Sequence, residues 1–376
     1  MSENSWQEKG YGDYFETLEK QLNKTREVSV EVSYSSATAS SKHKRRKGKV
    51  YRVRKSVVAV ALVLVLLVIG VIFTSGFNKV DSNLSQKEDT TDDTSSVSNE
   101  EKVEKPLKIE YSFDGDTKAI PSVNDAKTAI IIDKETNMVV AERNAHQKAY
   151  PASTTKIMTL LVAAENLKDM QDTFTMTLDI TDPLFIAEAS VAGFLNNEDV
   201  TVKDLFYGTI LPSGADAAMG LAIKTAGSEK EFVKLMNKKV KELGLKNTHF
   251  DNVTGLHSEQ NYTTAYDMAV MLDAAMQNDF CKEVLSTYQY TTEITEQHPK
   301  GILLSNTIFE YMYGTEPETA TILGGKTGFV NESGYCIASF GKCNENGHEY
   351  IVVTLGNSSR WPAFHGQIDL YKEFAK

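Results

Sequence analysis

Residues 322–355 read ILGGKTGFVNESGYCIASFGKCNENGHEYIVVTL. They hold three runs rich in β-branched and aromatic residues, Ile322–Phe329, Gly334–Lys342 and Tyr350–Leu355, which predict strands. The Asn344-Glu-Asn-Gly347 stretch joins the last two, and Asn and Gly are the residues that tolerate a tight turn. A second hairpin is expected far upstream, from Thr128–Asp133 through a Lys134–Asn137 turn to Met138–Arg143. Between these ends the chain switches to helical periodicity. Helices are expected from about Ser153 to Leu167 and over about 202–210, 214–226, 229–243 and 264–277. Pro362 to Phe374 predicts a closing helix, with Phe364, Ile368, Tyr371 and Phe374 on one face. Strands at both ends of a helical middle predict an α+β architecture: an antiparallel sheet covered by helices, plus a helical lobe.

Upstream of this block the chain changes character twice. Val57 to Phe73 is an unbroken apolar run with one Gly. Extended to Phe77 it reaches roughly 30 Å as a helix, at about 1.5 Å per residue, enough to cross a bilayer. A cleaved signal peptide is disfavoured, because the run starts more than fifty residues in and no clear small-x-small cleavage site follows it. Lys42, Lys44, Arg45, Arg46, Lys47, Lys49, Arg52, Arg54 and Lys55 crowd its N-terminal side. The positive-inside bias then puts the N-terminus in the cytoplasm and the bulk of the chain outside. The expected organisation is a cytoplasmic, largely disordered basic tail over 1–55, one transmembrane helix over 56–77 and a flexible acidic Ser/Thr-rich linker over 78–110. Order is expected to begin near Tyr111, so 111–376 is the folded extracytoplasmic domain of a single-pass protein of the cell membrane. Within the tail, Tyr14, Phe15, Leu18 and Leu22 hint at one short amphipathic helix.

Charge narrows the partners. The chain of 376 residues has a net charge of −11, but residues 1–55 carry a net excess of basic groups. The remainder is therefore strongly acidic, which argues against nucleic acid as partner of the large domain. The basic cluster suits membrane topology; anionic lipid or nucleic acid is the alternative reading. Cys281, Cys336 and Cys343 are odd in number and make no C-x-x-C, so buried or inert thiols are expected rather than a disulfide framework. The seven His form no H-x-x-x-H pair, so neither a metal nor a cofactor is expected.

Three short motifs carry chemistry. Pro151-Ala-Ser-Thr-Thr-Lys156 places Ser153 and Lys156 three apart at the start of a helix, on one face and one turn apart. A helix start offers unpaired N–H groups and partial positive charge to an oxyanion. A serine needs a base to become a nucleophile, and a lysine can be that base when burial or a nearby cation lowers its pKa. Taken alone, the pair also reads as a serine N-cap with an exposed lysine. Gly325-Lys-Thr-Gly328 lies on a strand near the C-terminus, where Lys and Thr can bind a carboxylate and Gly permits close backbone approach. Its bland reading is a charged strand with a glycine bulge. Leu211-Pro-Ser-Gly-Ala-Asp216 is a loop ahead of a helix; Ser213 can relay a proton between the two lysines, or simply cap the helix.

In this order the three motifs resemble the penicilloyl-serine transferase superfamily. The flanks are similar to the serine-type D-Ala-D-Ala carboxypeptidases, the low-molecular-mass penicillin-binding proteins: Pro151 to Thr159, Leu211 to Ala218, Thr248-His-Phe-Asp-Asn-Val-Thr-Gly-Leu256, Tyr262 to Met268 and Gly325 to Phe329. The resemblance spans about Ala126 to Asn357. It implies a β-lactamase/transpeptidase-like fold and a hydrolase that removes the terminal D-alanine from peptidoglycan stem pentapeptides. It also implies that Ser153 attacks the carbonyl between two D-alanines, Lys156 is the general base, and Ser213 and Lys326 move the proton to the leaving amine. By the same resemblance Lys326 and Thr327 bind the terminal carboxylate, with Gly328 beside them, and the N–H groups of Ser153 and Phe329 form the oxyanion hole. β-Lactams are then expected to acylate Ser153.

Two departures stand out. The family's middle motif usually ends in Asn, where this chain has Ala215. Asp216 follows at once but is expected to point to another helix face. Many relatives also carry a β-rich domain and a C-terminal amphipathic anchor, for which an N-terminal span is the expected substitute. Ala215 motivates one alternative, a catalytically weak or inactive homologue that binds cell-wall peptides. A β-lactamase is the other, although no convincing E-x-x-x-N segment lies between the second and third motifs.

Overall fold

The computed structural model describes residues 109–121, 125–312, 315 and 317–376. The expected tail and transmembrane helix, and the linker up to residue 108, lie outside the described residues. Among those described, no helix is long and apolar enough to cross a membrane.

The chain enters through a short strand β1 (Lys118–Ala119) and the expected hairpin, β2 (Thr128–Asp133) and β3 (Met138–Arg143). It ends in β8 (Ala320–Val330), β9 (Gly334–Cys343), β10 (Glu349–Asn357) and α9 (Arg360–Phe374), once β4–β7 and α1–α8 are counted between. One six-stranded sheet takes the order β1-β3-β2-β10-β9-β8. Every pairing is antiparallel except β1 with β3, which is parallel, a correction to the wholly antiparallel expectation. The first and last parts of the chain meet where β2 pairs with β10, Ile131 opposite Val352.

All six residues of β2 are buried, which explains why that strand reads as continuous apolar sequence rather than an alternation. Ile130 and Ile132 join the core on the face shared with the helical lobe, and Ala129 and Ile131 join a second core on the opposite face. That second core is closed by α9 through Phe364, Tyr371 and Phe374, three of the four residues expected on its inner face. Ile368 is buried as well. The helix begins two residues before Pro362, which sits in the first turn, where no amide hydrogen is required.

The helical middle contains α1 (Lys156–Asn166), α2 (Leu178–Ile186), α3 (Val202–Ile210), α4 (Ala215–Ala226), α5 (Glu229–Glu242), α6 (Ala265–Met276), α7 (Asp279–Ser286) and α8 (Thr307–Met312). Local chemistry sets these boundaries. Thr201, Ser228, Thr264 and Asn278 each accept a backbone N–H three residues on, capping α3, α5, α6 and α7. In α5, Phe232, Met236 and Val240 recur every four residues and are buried, while Lys230, Glu231, Lys234, Lys238, Lys241 and Glu242 are exposed.

The short helices α2, α7 and α8 were not expected from sequence, nor were the two-stranded ribbons β4 (Thr173–Thr175) with β5 (Asp199–Thr201) and β6 (Gln289–Thr291) with β7 (Leu303–Ser305). Each is too brief to express a period. All three cysteines are buried thiols. Tyr111, near which order is expected to begin, is buried. Its hydroxyl donates to Asp273 of α6, and Asp273 also pairs with Lys134 at 2.9 Å.

Candidate active site

Ser153 does not stand on an α-helix start as the spacing suggested. Residues Ala152–Thr155 form a 3₁₀ turn, and α1 begins at Lys156. Ala152 sits at φ +47°, an unfavourable backbone for a residue with a side chain. The turn is held in place from both flanks. On one side lies β8, the last strand of the sheet, whose outer edge has no strand partner among the described residues. A Cβ on Gly328 would fall 2.7 Å from Ser153 N, so only glycine lets the strand approach this closely. On the other side, Gly255 has φ +83°, and a Cβ there would fall 1.9 Å from Ala152 O.

The turn still brings the expected pair together. Lys156 Nζ donates to Ser153 Oγ at 3.0 Å and to the backbone carbonyl of Thr254 at 2.7 Å. The lysine is buried, 2% exposed, and burial draws its pKa down to about 7, with Asp216 pulling the other way. A neutral amine at that position can take the serine proton across the existing contact. Lys326 is fully buried, and burial together with the nearby Lys156 cation holds it well below the ordinary lysine value.

Ser153, Lys156, Ser213, Ala215, Thr327, Gly328 and Phe329 share one cleft of about 600 Å³. Ser213 adopts φ +66°, and its hydroxyl is buried with no hydrogen-bond partner. Gly214, not Ser213, is the residue that precedes α4, and it makes no side-chain cap. Lys326 lies behind the cleft wall, where its Nζ bonds the carbonyl of Thr327 at 2.9 Å. Thr327 Oγ1 meets Thr307 Oγ1 at 2.7 Å. The structure thus brings six of the seven sequence-predicted residues into the cleft, sets Lys326 behind it, and does not connect Ser213 to either lysine by a hydrogen bond.

The backbone of β8 adds donors. Val330 N–H turns inward to Ser333 Oγ, 3.2 Å away in the β8–β9 hairpin. Amide directions alternate along a strand, so Phe329 N–H points off the outer edge. The Phe329 ring, half exposed, stacks on Tyr335 with centroids 4.3 Å apart and rims the cleft.

Asp216 points away from the cleft, as its helix position implied. Its carboxylate is buried and accepts N–H groups from Ala192, Gly193 and Phe194 at 2.7, 3.0 and 3.2 Å. It therefore does not replace the amide that Ala215 lacks. Arg360, Tyr311 and Glu188 also line the cleft, and sequence reasoning missed all three. Arg360 lies over the Tyr311 ring at 4.6 Å, joined by α8 and α9 from far along the chain. Glu188 sits at φ +51°. No motif flags such residues.

A family model described as D-alanyl-D-alanine carboxypeptidase matches residues 116–359. D-alanyl-D-alanine carboxypeptidase DacF of Bacillus subtilis (strain 168) is 35% identical over 243 residues, 63% of this chain and 58% of the relative. DacC of Escherichia coli K12 is 40% identical over 245 residues, 63% and 57% of the two chains. The chain thus spans a little over half the length of these curated relatives. Among solved structures, the Streptomyces K15 DD-transpeptidase superposes with a TM-score of 0.59 at 29% identity, covering 69% of this chain and 100% of that one. Penicillin binding protein 5 of Haemophilus influenzae gives 0.58 at 28% identity, covering 68% and 71%.

Proposed function

The chain belongs to the D-alanyl-D-alanine carboxypeptidase family, and from that premise we propose that it is a serine-type carboxypeptidase that removes the terminal D-alanine from peptidoglycan stem peptides through an acyl-enzyme on Ser153. The observation that carries this reading is the Ser153–Lys156 contact at 3.0 Å, made by a buried lysine whose pKa is drawn down to about 7. A lysine of that pKa is substantially neutral at neutral pH and can act as general base.

In the proposed sequence Lys156 takes the Ser153 proton as Oγ attacks the carbonyl between the two D-alanines. The developing oxyanion lies between the N–H groups of Ser153 and Phe329, and such preorganised donors supply roughly 3–4 kcal/mol each to the barrier reduction. The terminal carboxylate is held at Thr327 and Gly328, with Lys326 behind them. Ser213, whose buried hydroxyl has no protein partner, is placed to take a substrate or proton-relay contact. Departure of D-alanine leaves an acyl ester on Ser153, which water hydrolyses. A β-lactam acylates the same hydroxyl and leaves slowly. The apolar run Val57–Phe73 and the basic cluster before it support anchorage of residues 111–376 outside the cell membrane by a single helix over 56–77.

The test is mass spectrometry of D-Ala-D-Ala-ended muropeptides incubated with the full chain. Loss of one alanine is expected, and it should vanish in Ser153→Ala. No loss with the wild-type protein, or equal loss with the variant, overturns the reading.

A further inference from the structure

Lys156 is the base of the proposed reaction, and its direction is set by two acceptors. One is the nucleophile itself. The other is a backbone carbonyl, that of Thr254, at 2.7 Å. Ala215 supplies no polar side-chain atom on this side of the cleft, so the Thr254 carbonyl is the acceptor that aims the amine independently of Ser153. What holds that carbonyl therefore holds the base.

The carbonyl belongs to a loop with no regular secondary structure, and loops of this kind owe their shape to side chains that satisfy the backbone. Here one side chain does most of this. Asn252 Oδ1 accepts the N–H of Gly255 at 2.7 Å, the N–H of Thr254 at 3.2 Å and the Thr254 hydroxyl at 3.3 Å. Its Nδ2 donates to the carbonyl of Leu256 at 2.9 Å. The amide thus occupies both ends, gathering residues 252–256 into one turn. That turn includes Gly255, whose Cα packs against Ala152 O just before the nucleophile. A second brace, Thr159 Oγ1 to the Val253 carbonyl at 2.7 Å, ties the loop to α1 one turn beyond Lys156. Asn252 itself does not line the cleft.

We infer that Asn252 is a positioning residue for the reaction: its carboxamide fixes the Thr254 carbonyl, which aims Lys156 at Ser153. The inference rests on the acyl-enzyme reading above. Charged groups that act on Lys156 are Lys326 of β8 and Asp216 of α4. Glu229 of α5 and Asp251 flank the loop, and His257 lines the cleft beyond it. None of these changes in the variants that follow.

The experiment measures the rate of acylation of the full chain by a fluorescent penicillin between pH 5 and pH 9, for wild type, Asn252→Ala, Asn252→Asp and Ser258→Ala. Loss of the carbonyl acceptor misplaces the base and destabilises its ammonium form. Asn252→Ala should therefore acylate about tenfold to hundredfold more slowly at pH 9, an ångström-scale misplacement being worth that much, and its acid limb should move to lower pH. Asn252→Asp keeps the oxygen that gathers three donors and adds an anion beside the loop. It should stay within about fivefold of wild type at pH 9, with its acid limb moved to higher pH. Ser258 bonds Asp251 in the same loop at 2.6 Å without bracing Thr254, so Ser258→Ala should match wild type throughout. If Asn252→Ala does not fold, the Asn252→Asp profile decides alone: a retained rate at pH 9 with a raised limb supports the inference, and a lost rate or an unmoved limb overturns it. Asn252→Ala labelled at the wild-type rate, or Ser258→Ala equally slow, also overturns it. An unlabelled wild-type protein overturns the acyl-enzyme reading and this inference with it.

Discussion

On the α9 face of the sheet, Gln367 is fully buried yet uses both ends of its amide. Its Nε2 donates to Thr354 Oγ1 at 3.0 Å and to the carbonyl of Ile337 at 3.2 Å. Its Oε1 accepts from Ser339 Oγ at 2.6 Å, and Ser339 also meets Tyr371 OH at 3.1 Å. At the β8 edge the same protein buries Lys156, Lys326 and Ser213 on very different terms. Burial there depresses both lysines, and the serine hydroxyl has no partner. Buried polar groups that find partners rigidify a core, whereas those left short of them cost stability and stay available for other contacts. The comparison separates a structural polar network from the one the proposed reaction uses, although both lie within one sheet and its covering helices.

The largest effect that would break this contrast is at Gly255. Replacement by Ala puts a side chain at φ +83° and 1.9 Å from Ala152 O, so the turn that carries Ser153 must move. Penicillin acylation should fall by about a hundredfold or more, since misplacement on the ångström scale costs that much. A rate within threefold of wild type would show that the turn tolerates displacement.

Next in size is the pH dependence. Lys156 titrates near pH 7 when folded, and only its neutral form accepts a proton. Acylation should rise roughly tenfold per pH unit up to about pH 7 and then level off. The sign for stability follows from the same depressed pKa. The unfolded chain binds the extra proton between about pH 7 and the ordinary lysine value, so this group's destabilising contribution shrinks as pH rises through that window. An acid limb centred near pH 10 would show that burial does not depress Lys156.

The smallest effect on chemistry belongs to the other network. Gln367→Leu should lower stability by about 1–3 kcal/mol through its orphaned partners, a fall in Tm of roughly 2–12 °C for a domain of this size. Thermal unfolding and penicillin labelling, run side by side, should show lost stability with an unchanged acylation rate. Loss of acylation in step with stability would mean that the two regions are coupled.

Much of the fold was open to reading because its signals are local. Two hairpins, the closing helix with Phe364, Tyr371 and Phe374 inward, and the longer amphipathic helices each announce themselves through period and turn chemistry. Ser153 and Lys156, the proposed nucleophile and base, were equally local, being three residues apart. The 3₁₀ turn was not, since Ala152 takes its positive φ between the backbones of β8 and the Gly255 loop, which arrive from elsewhere in the chain. Nor was the Thr254 carbonyl, 98 residues from the lysine it receives. A backbone oxygen has no identity in a sequence, and Asn252 was visible only as part of a resembling segment.

By itself, then, the amino-acid sequence determined the secondary-structure ends of the sheet and the chemical identities of Ser153, Lys156, Ser213 and the Lys326–Phe329 strand, because residue type and short spacing suffice for those. Tertiary structure alone decided that all of these but Lys326 line one cleft, that both lysines are stripped of water, and that a braced loop offers one of them a carbonyl. Desolvation and direction depend on which distant backbone closes over a side chain, and only the packed fold specifies that.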